Sequence, residues 1–105
     1  MKVTKNDNTS IIEVSGIDRV EFLNNIFTND VLKVSNKNSI YTCLLSPQGK
    51  LIADLILSDY KDSLFICSYS KFKDDLIKVL SMYKLRSKVK IEDVSDDYQY
   101  YFVDY

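Results

Sequence analysis

The sequence has no histidine and no tryptophan, and only two glycines, one proline and two cysteines among its 105 residues. Without histidine there is no Ser-His-Asp triad, no Cys-His nucleophile and no imidazole-bound metal. Chemistry done by this chain alone must use carboxylates, tyrosine, lysine or cysteine. No G-x-G-x-x-G loop is present. Ser46-Pro47-Gln48-Gly49-Lys50 lacks the glycines and the Lys-Ser/Thr ending of a phosphate-binding loop. Cys43 and Cys67 form neither a C-x-x-C pair nor a zinc spacing. Each sits in an apolar, strand-like run, so two reduced thiols in a cytoplasmic protein are expected. No apolar run approaches about 18 residues, so no membrane-spanning helix is expected. MKVTKNDNTS has no apolar segment of the kind a signal peptide needs. A net charge of −1 gives no electrostatic support to nucleic-acid binding.

What is there is a globular composition. The chain is 46% hydrophobic and 28% charged, which suits one domain over residues 1–105 with one core. Residues 9–14 read as a strand. Ser15 is placed to cap a helix over 17–27, on which Ile17, Val20, Leu23, Ile26 and Phe27 recur at helical spacing. Thr28-Asn29-Asp30 ends it, because these side chains compete for backbone hydrogen bonds. A polar loop over 31–38 leads to strands 39–46 and 50–58, joined through Pro47-Gln48-Gly49 as a hairpin. A third strand covers 64–68. Ser70 opens a helix over 71–83, and strands over 87–94 and 98–105 follow. Lys84, Arg86, Lys88 and Lys90 alternate with Leu85, Ser87, Val89 and Ile91 and read as the wet face of a strand. The order β-α-β-β-β-α-β-β predicts an α+β fold, with a mostly antiparallel sheet and its two helices on one side. Strand 98–105 is apolar on both faces, so it asks for cover. The expected cover is the rest of a longer chain, or a second chain or copy pairing through 98–105; the alternative is a plain surface strand.

Three phrases stand in order: VSGIDRVEFLNNIFTNDV, YTCLLSPQGKLIADLIL and YKLRSKVKIEDVSDD. Together they resemble the N-terminal part of the YgfZ/glycine-cleavage T-protein (aminomethyltransferase) family of folate-binding proteins. The tyrosine followed by Arg-Ser-Lys-Val is similar to the YgfZ branch. The resemblance covers about residues 10–97 and implies an α+β folate-binding fold of which this chain is the first part. It implies tetrahydrofolate as the ligand. Two roles go with it: supporting iron–sulfur enzymes or their assembly factors, or transferring a one-carbon unit to tetrahydrofolate. The Lys-Gly-Cys-Tyr/Phe-x-Gly-Gln signature of YgfZ-like proteins and the upstream Asp-x-Ser-x-Met segment of T-proteins are both missing, so independent transfer activity is not expected.

The run LIADLIL, residues 51–57, is apolar except for Asp54. T-proteins carry an acid pair in the matching segment; here Ala53 takes the place of the first acid and Asp54 keeps the second. The resemblance therefore implies a folate contact at Asp54, with Tyr41 as a pocket tyrosine, Ile56 as an apolar wall and Asn29 in a polar loop beside them. The residues themselves leave alternatives open. An aspartate flanked by Ile52 and Ile56 on one strand face is desolvated unless paired. It can face a ligand, pair with Arg86 or Lys88, or point to water. Tyr41 can equally be core, and Thr28-Asn29-Asp30 can serve only to stop the helix.

Overall fold

The computed structural model describes residues 2–4, 8–35, 37–96 and 100–102. Its centre is a five-stranded sheet with every neighbouring pair antiparallel, in the order β3-β4-β5-β2-β6. The strands are β2 (Thr9–Ser15), β3 (Ile40–Leu45), β4 (Leu51–Tyr60), β5 (Ser63–Tyr69) and β6 (Lys90–Asp93). Two helices join them: α1 (Arg19–Asn24) and α2 (Lys73–Lys84). The anticipated α+β class and antiparallel sheet are present. The β3–β4 hairpin turns where proline and glycine place it: Ser46 accepts the Gly49 N–H at 2.9 Å, and Gly49 has φ +83°.

Side chains two apart on a strand share a face. Ile12, Val14, Ile40, Leu44, Ala53, Leu55, Leu57, Leu64 and Ile66 share one face, buried with Phe22 and Leu23 of α1 and Leu76 and Leu80 of α2. The opposite face holds a smaller cluster of Ile11, Phe65, Cys67 and Val94, against which Ile56 packs. Both faces are thus apolar near the middle of the sheet, which is why β4 and β5 read as nearly continuous apolar runs.

Several boundaries differ from the sequence reading. Ser15 does not cap α1, which begins only at Arg19 and has Asp18 as its N-cap. Asp18 makes no cap bond; its Oδ2 accepts the Lys88 N–H at 2.8 Å, tying the helix start to the segment before β6. The chain reaches that point through Gly16, at φ +112°, where an added Cβ would lie 2.2 Å from the Lys88 carbonyl oxygen. The helix stops at Asn24 rather than 27, and Phe27 instead bridges to Leu44 at the sheet edge. The loop 31–38 contains a 3-10 turn, Val31–Lys33, capped by the Asp30 carboxylate accepting the Leu32 N–H. Ser70 opens a 3-10 turn over Ser70–Phe72, and the α-helical part follows from Lys73. Of the basic series, Lys84 closes α2 and only Lys90 lies in a strand; Arg86 and Lys88 are in the connection.

One strand was not anticipated. β1 (Lys2–Thr4) pairs antiparallel with β7 (Tyr100–Phe102), with Val3 opposite Tyr101. The backbone partner of the last strand is thus the start of the same chain. The rest of the anticipated strand 98–105 (98, 99 and 103–105) lies outside the described residues.

Candidate functional site

The four residues singled out in the sequence come together at the β3 end of the sheet. In the β3–β4 ladder Tyr41 is opposite Ile56, and Cys43 is opposite Asp54. The side chains of Tyr41, Ile56, Cys43 and Asp54 therefore belong to the face away from the helices. Across the diagonal, the Tyr41 hydroxyl donates to Asp54 Oδ2 at 2.8 Å. Asn29, just past α1, donates its side-chain N–H to the Tyr41 carbonyl oxygen at 3.0 Å.

Exposure decides between the readings of Tyr41. It is 51% exposed, so it is not a core residue. Asp54 is half-buried, and among the described residues it pairs with neither Arg86 nor Lys88; its partner is the tyrosine. The Asp54 backbone is held as well, its carbonyl oxygen accepting the Ser68 hydroxyl at 2.8 Å. Ile56 flanks Asp54 on the same face, as anticipated. Ile52 does not. The register shifts at Leu44/Leu45, so that Ala53 opposes Leu44 and Leu51 opposes Leu45. Ile52 is the extra residue of this bulge, and it packs against the helix-side core.

The hydrogen bond from Tyr41 to the Asp54 carboxylate is the main reason that the Tyr41 phenol is pushed up from 10.0 to about 12. Deprotonating it would remove the donor and set a phenolate beside a carboxylate. The pair is therefore one proton donor locked onto one acceptor, with Asp54 Oδ1 carrying no further hydrogen bond among the described residues. Cys43 shares the face, its thiol 4.0 Å from the Tyr41 hydroxyl. Its position two residues from Tyr41 on one strand was readable in the sequence. Cys67 is buried, and burial pushes its thiol up to about 11, which makes it a poor nucleophile at neutral pH. Both cysteines are free thiols. Among the described residues no group of three or more Cys, Asp or Glu side chains is placed to hold a metal ion.

Tetrahydrofolate can be tested against this geometry. A pterin presents ring N–H donors and a flat face. Asp54 offers a carboxylate oxygen, Tyr41 a half-exposed ring for stacking, and Ile56 an apolar neighbour. These residues fit one side of such a ligand, as an open wall and not a closed cavity. A separate cleft of about 690 Å³ lies beyond α1, between the hairpin turn and the end of α2. It is lined by Glu21, Phe22, Leu45, Tyr83 and Arg86 among others, and contains none of the four residues. The polar groups of Tyr41, Asp54 and Cys43 converge on the other face of the sheet, which is the candidate site.

Comparison with known proteins gives a consistent family. The GCVT N-terminal domain matches residues 3–103. The chain is 29% identical, over 92% of its length, to the protein named iron-sulfur cluster assembly factor IBA57 homolog, mitochondrial, of Mycosarcoma maydis, and covers 27% of it. It is 28% identical over 82% of its length to an aminomethyltransferase of Bacillus pumilus, covering 24% of that protein. Among solved structures, glycine cleavage system aminomethyltransferase T of Bartonella henselae has the same fold, with a TM-score of 0.78 at 18% identity over 90% of this chain and 26% of that one. The chain thus spans about a quarter of the length of these relatives.

Proposed function

The chain belongs to the GCVT N-terminal domain family, and from that premise we propose that it is the N-terminal part of a folate-binding protein of the YgfZ type that supports the assembly or maintenance of iron–sulfur enzymes. The observation that carries this reading is the Tyr41–Asp54 hydrogen bond on an open sheet face, with Ile56 and Asn29 beside it. In this reading Asp54 accepts a ring or amine N–H of tetrahydrofolate, Tyr41 stacks on its ring system, and Ile56 supplies apolar contact. The relatives named as IBA57 homologues support the iron–sulfur role. Both carry the word mitochondrial in their names, so the proposed compartment is either the cytoplasm or an organelle matrix. No helix among the described residues is long and apolar enough to cross a membrane.

A second reading is tetrahydrofolate-dependent aminomethyl transfer, which the relatives named aminomethyltransferase favour. Ala53 speaks against it. Where T-proteins have an acid pair, this chain keeps a single carboxylate, and position 53 is fully buried under the helices. Turnover with a lipoyl-linked aminomethyl donor separates the two readings: the first expects binding without transfer. The direct test of both is calorimetric titration of the monodisperse chain with tetrahydrofolate. Binding is expected to be weak, because one wall of a site is present, and Asp54→Asn is expected to weaken it further.

A further inference from the structure

β3 is the edge strand of the five-stranded sheet; among the described residues it has β4 on one side and, on the other, the isolated Phe27–Leu44 bridge in place of a strand. The outward backbone groups of Tyr41 and Cys43 therefore need partners from elsewhere. Thr28 and Asn29 supply them. The Thr28 N–H donates to the Cys43 carbonyl oxygen at 3.0 Å, and the Cys43 N–H donates to Thr28 Oγ1 at 3.2 Å. Asn29 Nδ2 donates to the Tyr41 carbonyl oxygen at 3.0 Å, and the Asn29 N–H donates to Thr42 Oγ1, also at 3.0 Å. Asn29 Oδ1 is occupied too, accepting the Asp30 N–H at 2.8 Å. The segment is anchored in turn to α1, where Asn24 Oδ1 accepts the Val31 N–H at 2.9 Å and the Leu23 carbonyl oxygen accepts the Phe27 N–H at 3.0 Å.

We propose that Thr28 and Asn29 are positioning residues, a two-residue substitute for a sixth strand that fixes β3 along β4 and so holds Tyr41 on Asp54, without touching a ligand themselves. The need for such a clamp follows from the diagonal. Tyr41 faces Ile56 and Asp54 faces Cys43, so the hydroxyl reaches across one register step to make its 2.8 Å bond. Diagonal neighbours in a sheet stand roughly 7–8 Å apart, and a small slide of the edge strand breaks a bond at that reach. Two residues that bind three successive residues of β3 from its open side, through side chains and backbone N–H groups, oppose that slide. This deepens the folate reading by assigning Asn29 a role through Tyr41, but the geometry it claims exists without ligand.

The test is the phenol titration of Tyr41 in the ligand-free chain, read as the difference spectrum against Tyr41→Phe. The parent midpoint is expected near 12. Asn29→Ala and Thr28→Val are each expected to move it down toward the ordinary 10.0, whereas Thr28→Ser keeps the oxygen and the midpoint. Leu80→Ala, a destabilising control in α2, should also leave it in place. An unmoved midpoint in Asn29→Ala and Thr28→Val overturns the proposal; if either fails to fold, the other decides. Tetrahydrofolate titration adds a second arm. Asn29→Ala should weaken binding with Tyr41 present and cause no further loss on the Tyr41→Phe background. An additional loss there would make Asn29 a ligand contact and overturn its positioning role. The spectroscopic arm needs no folate, so failure of the folate reading and failure of the clamp are distinguishable.

Discussion

Ala53 and Asp54 are neighbours in the chain and lie on opposite faces of the sheet. Ala53 is fully buried beneath the helices, while Asp54 is half-exposed and bonded to Tyr41. The single acid in the apolar run is thus on the one face where it can be partnered and reached.

It follows that Ala53→Asp does not restore an acid pair at the site. It places a carboxylate in the core among Leu55, Leu57, Leu44 and the helices. The expected cost is roughly 3–5 kcal/mol, the scale of an uncompensated buried charge. That is a large fraction of the 5–15 kcal/mol typical of a domain. Urea unfolding followed by circular dichroism measures it. A loss below about 1 kcal/mol would mean that the sheet turns this segment over more easily than its register implies.

Asp54→Asn is expected to bring the Tyr41 phenol down from about 12 toward 10.0, since the carboxylate acceptor is the first cause of the rise. The linkage has a definite sign. A folded pKa above the unfolded one stabilises fully below pH 10.0, and the contribution disappears as pH rises through about 12. Alkaline titration of the chain against Tyr41→Phe and Asp54→Asn reads both effects.

Gly16, between β2 and α1, has a specific task in the structure. Its φ of +112° and the Lys88 carbonyl oxygen, 2.2 Å from where a Cβ would stand, exclude any side chain. Gly16→Ala is expected to destabilise the fold by roughly 2–4 kcal/mol, from strained backbone together with overpacking against a main-chain atom. Thermal unfolding is the measurement.

At the far edge, Ser95 Oγ accepts the Ile11 N–H at 2.9 Å and lies 2.6 Å from Asp93 Oδ1. The Ser95 hydroxyl, with further help from its N–H and from Lys73, holds the Asp93 carboxyl below its ordinary value of 3.8. A lowered folded pKa stabilises above pH 3.8, and that contribution is lost as pH falls through the lower folded value. The parent should therefore be more stable than Asp93→Asn at neutral pH, and the gap should close in acid. The Asp93 side chain is 36% exposed, enough for solvent to screen it, so the gap should stay below about 1 kcal/mol. Paired urea titrations at neutral and acid pH check it.

The legible parts of this molecule were those governed by local periodicity. The short apolar runs of β2 to β5, the Pro47–Gly49 turn and the apolar stripe of α2 placed those elements nearly where they are. The poorly read parts depend on distant partners. α1 stops at Asn24 because Phe27 is drawn to Leu44 and the Asn24 side chain is spent on Val31, neither of which local spacing reveals. β1 pairs with a strand about a hundred residues away, and Lys2-Val3-Thr4 has no pattern of its own. At the site, Asp54 stood out because a carboxylate in an apolar run is conspicuous. Thr28 did not, because its hydroxyl acts on Cys43, 15 positions away. The bulge at Ile52 was likewise invisible, since it exists only in the pairing of two strands.

The measurement that bears most directly on the function is calorimetric titration of the monodisperse chain with tetrahydrofolate, repeated with Asp54→Asn. Saturable binding by the parent, weakened several-fold in the variant, is the expected result. A folded chain that takes up no tetrahydrofolate, or a variant that binds it as well as the parent, would contradict a folate site at Tyr41 and Asp54.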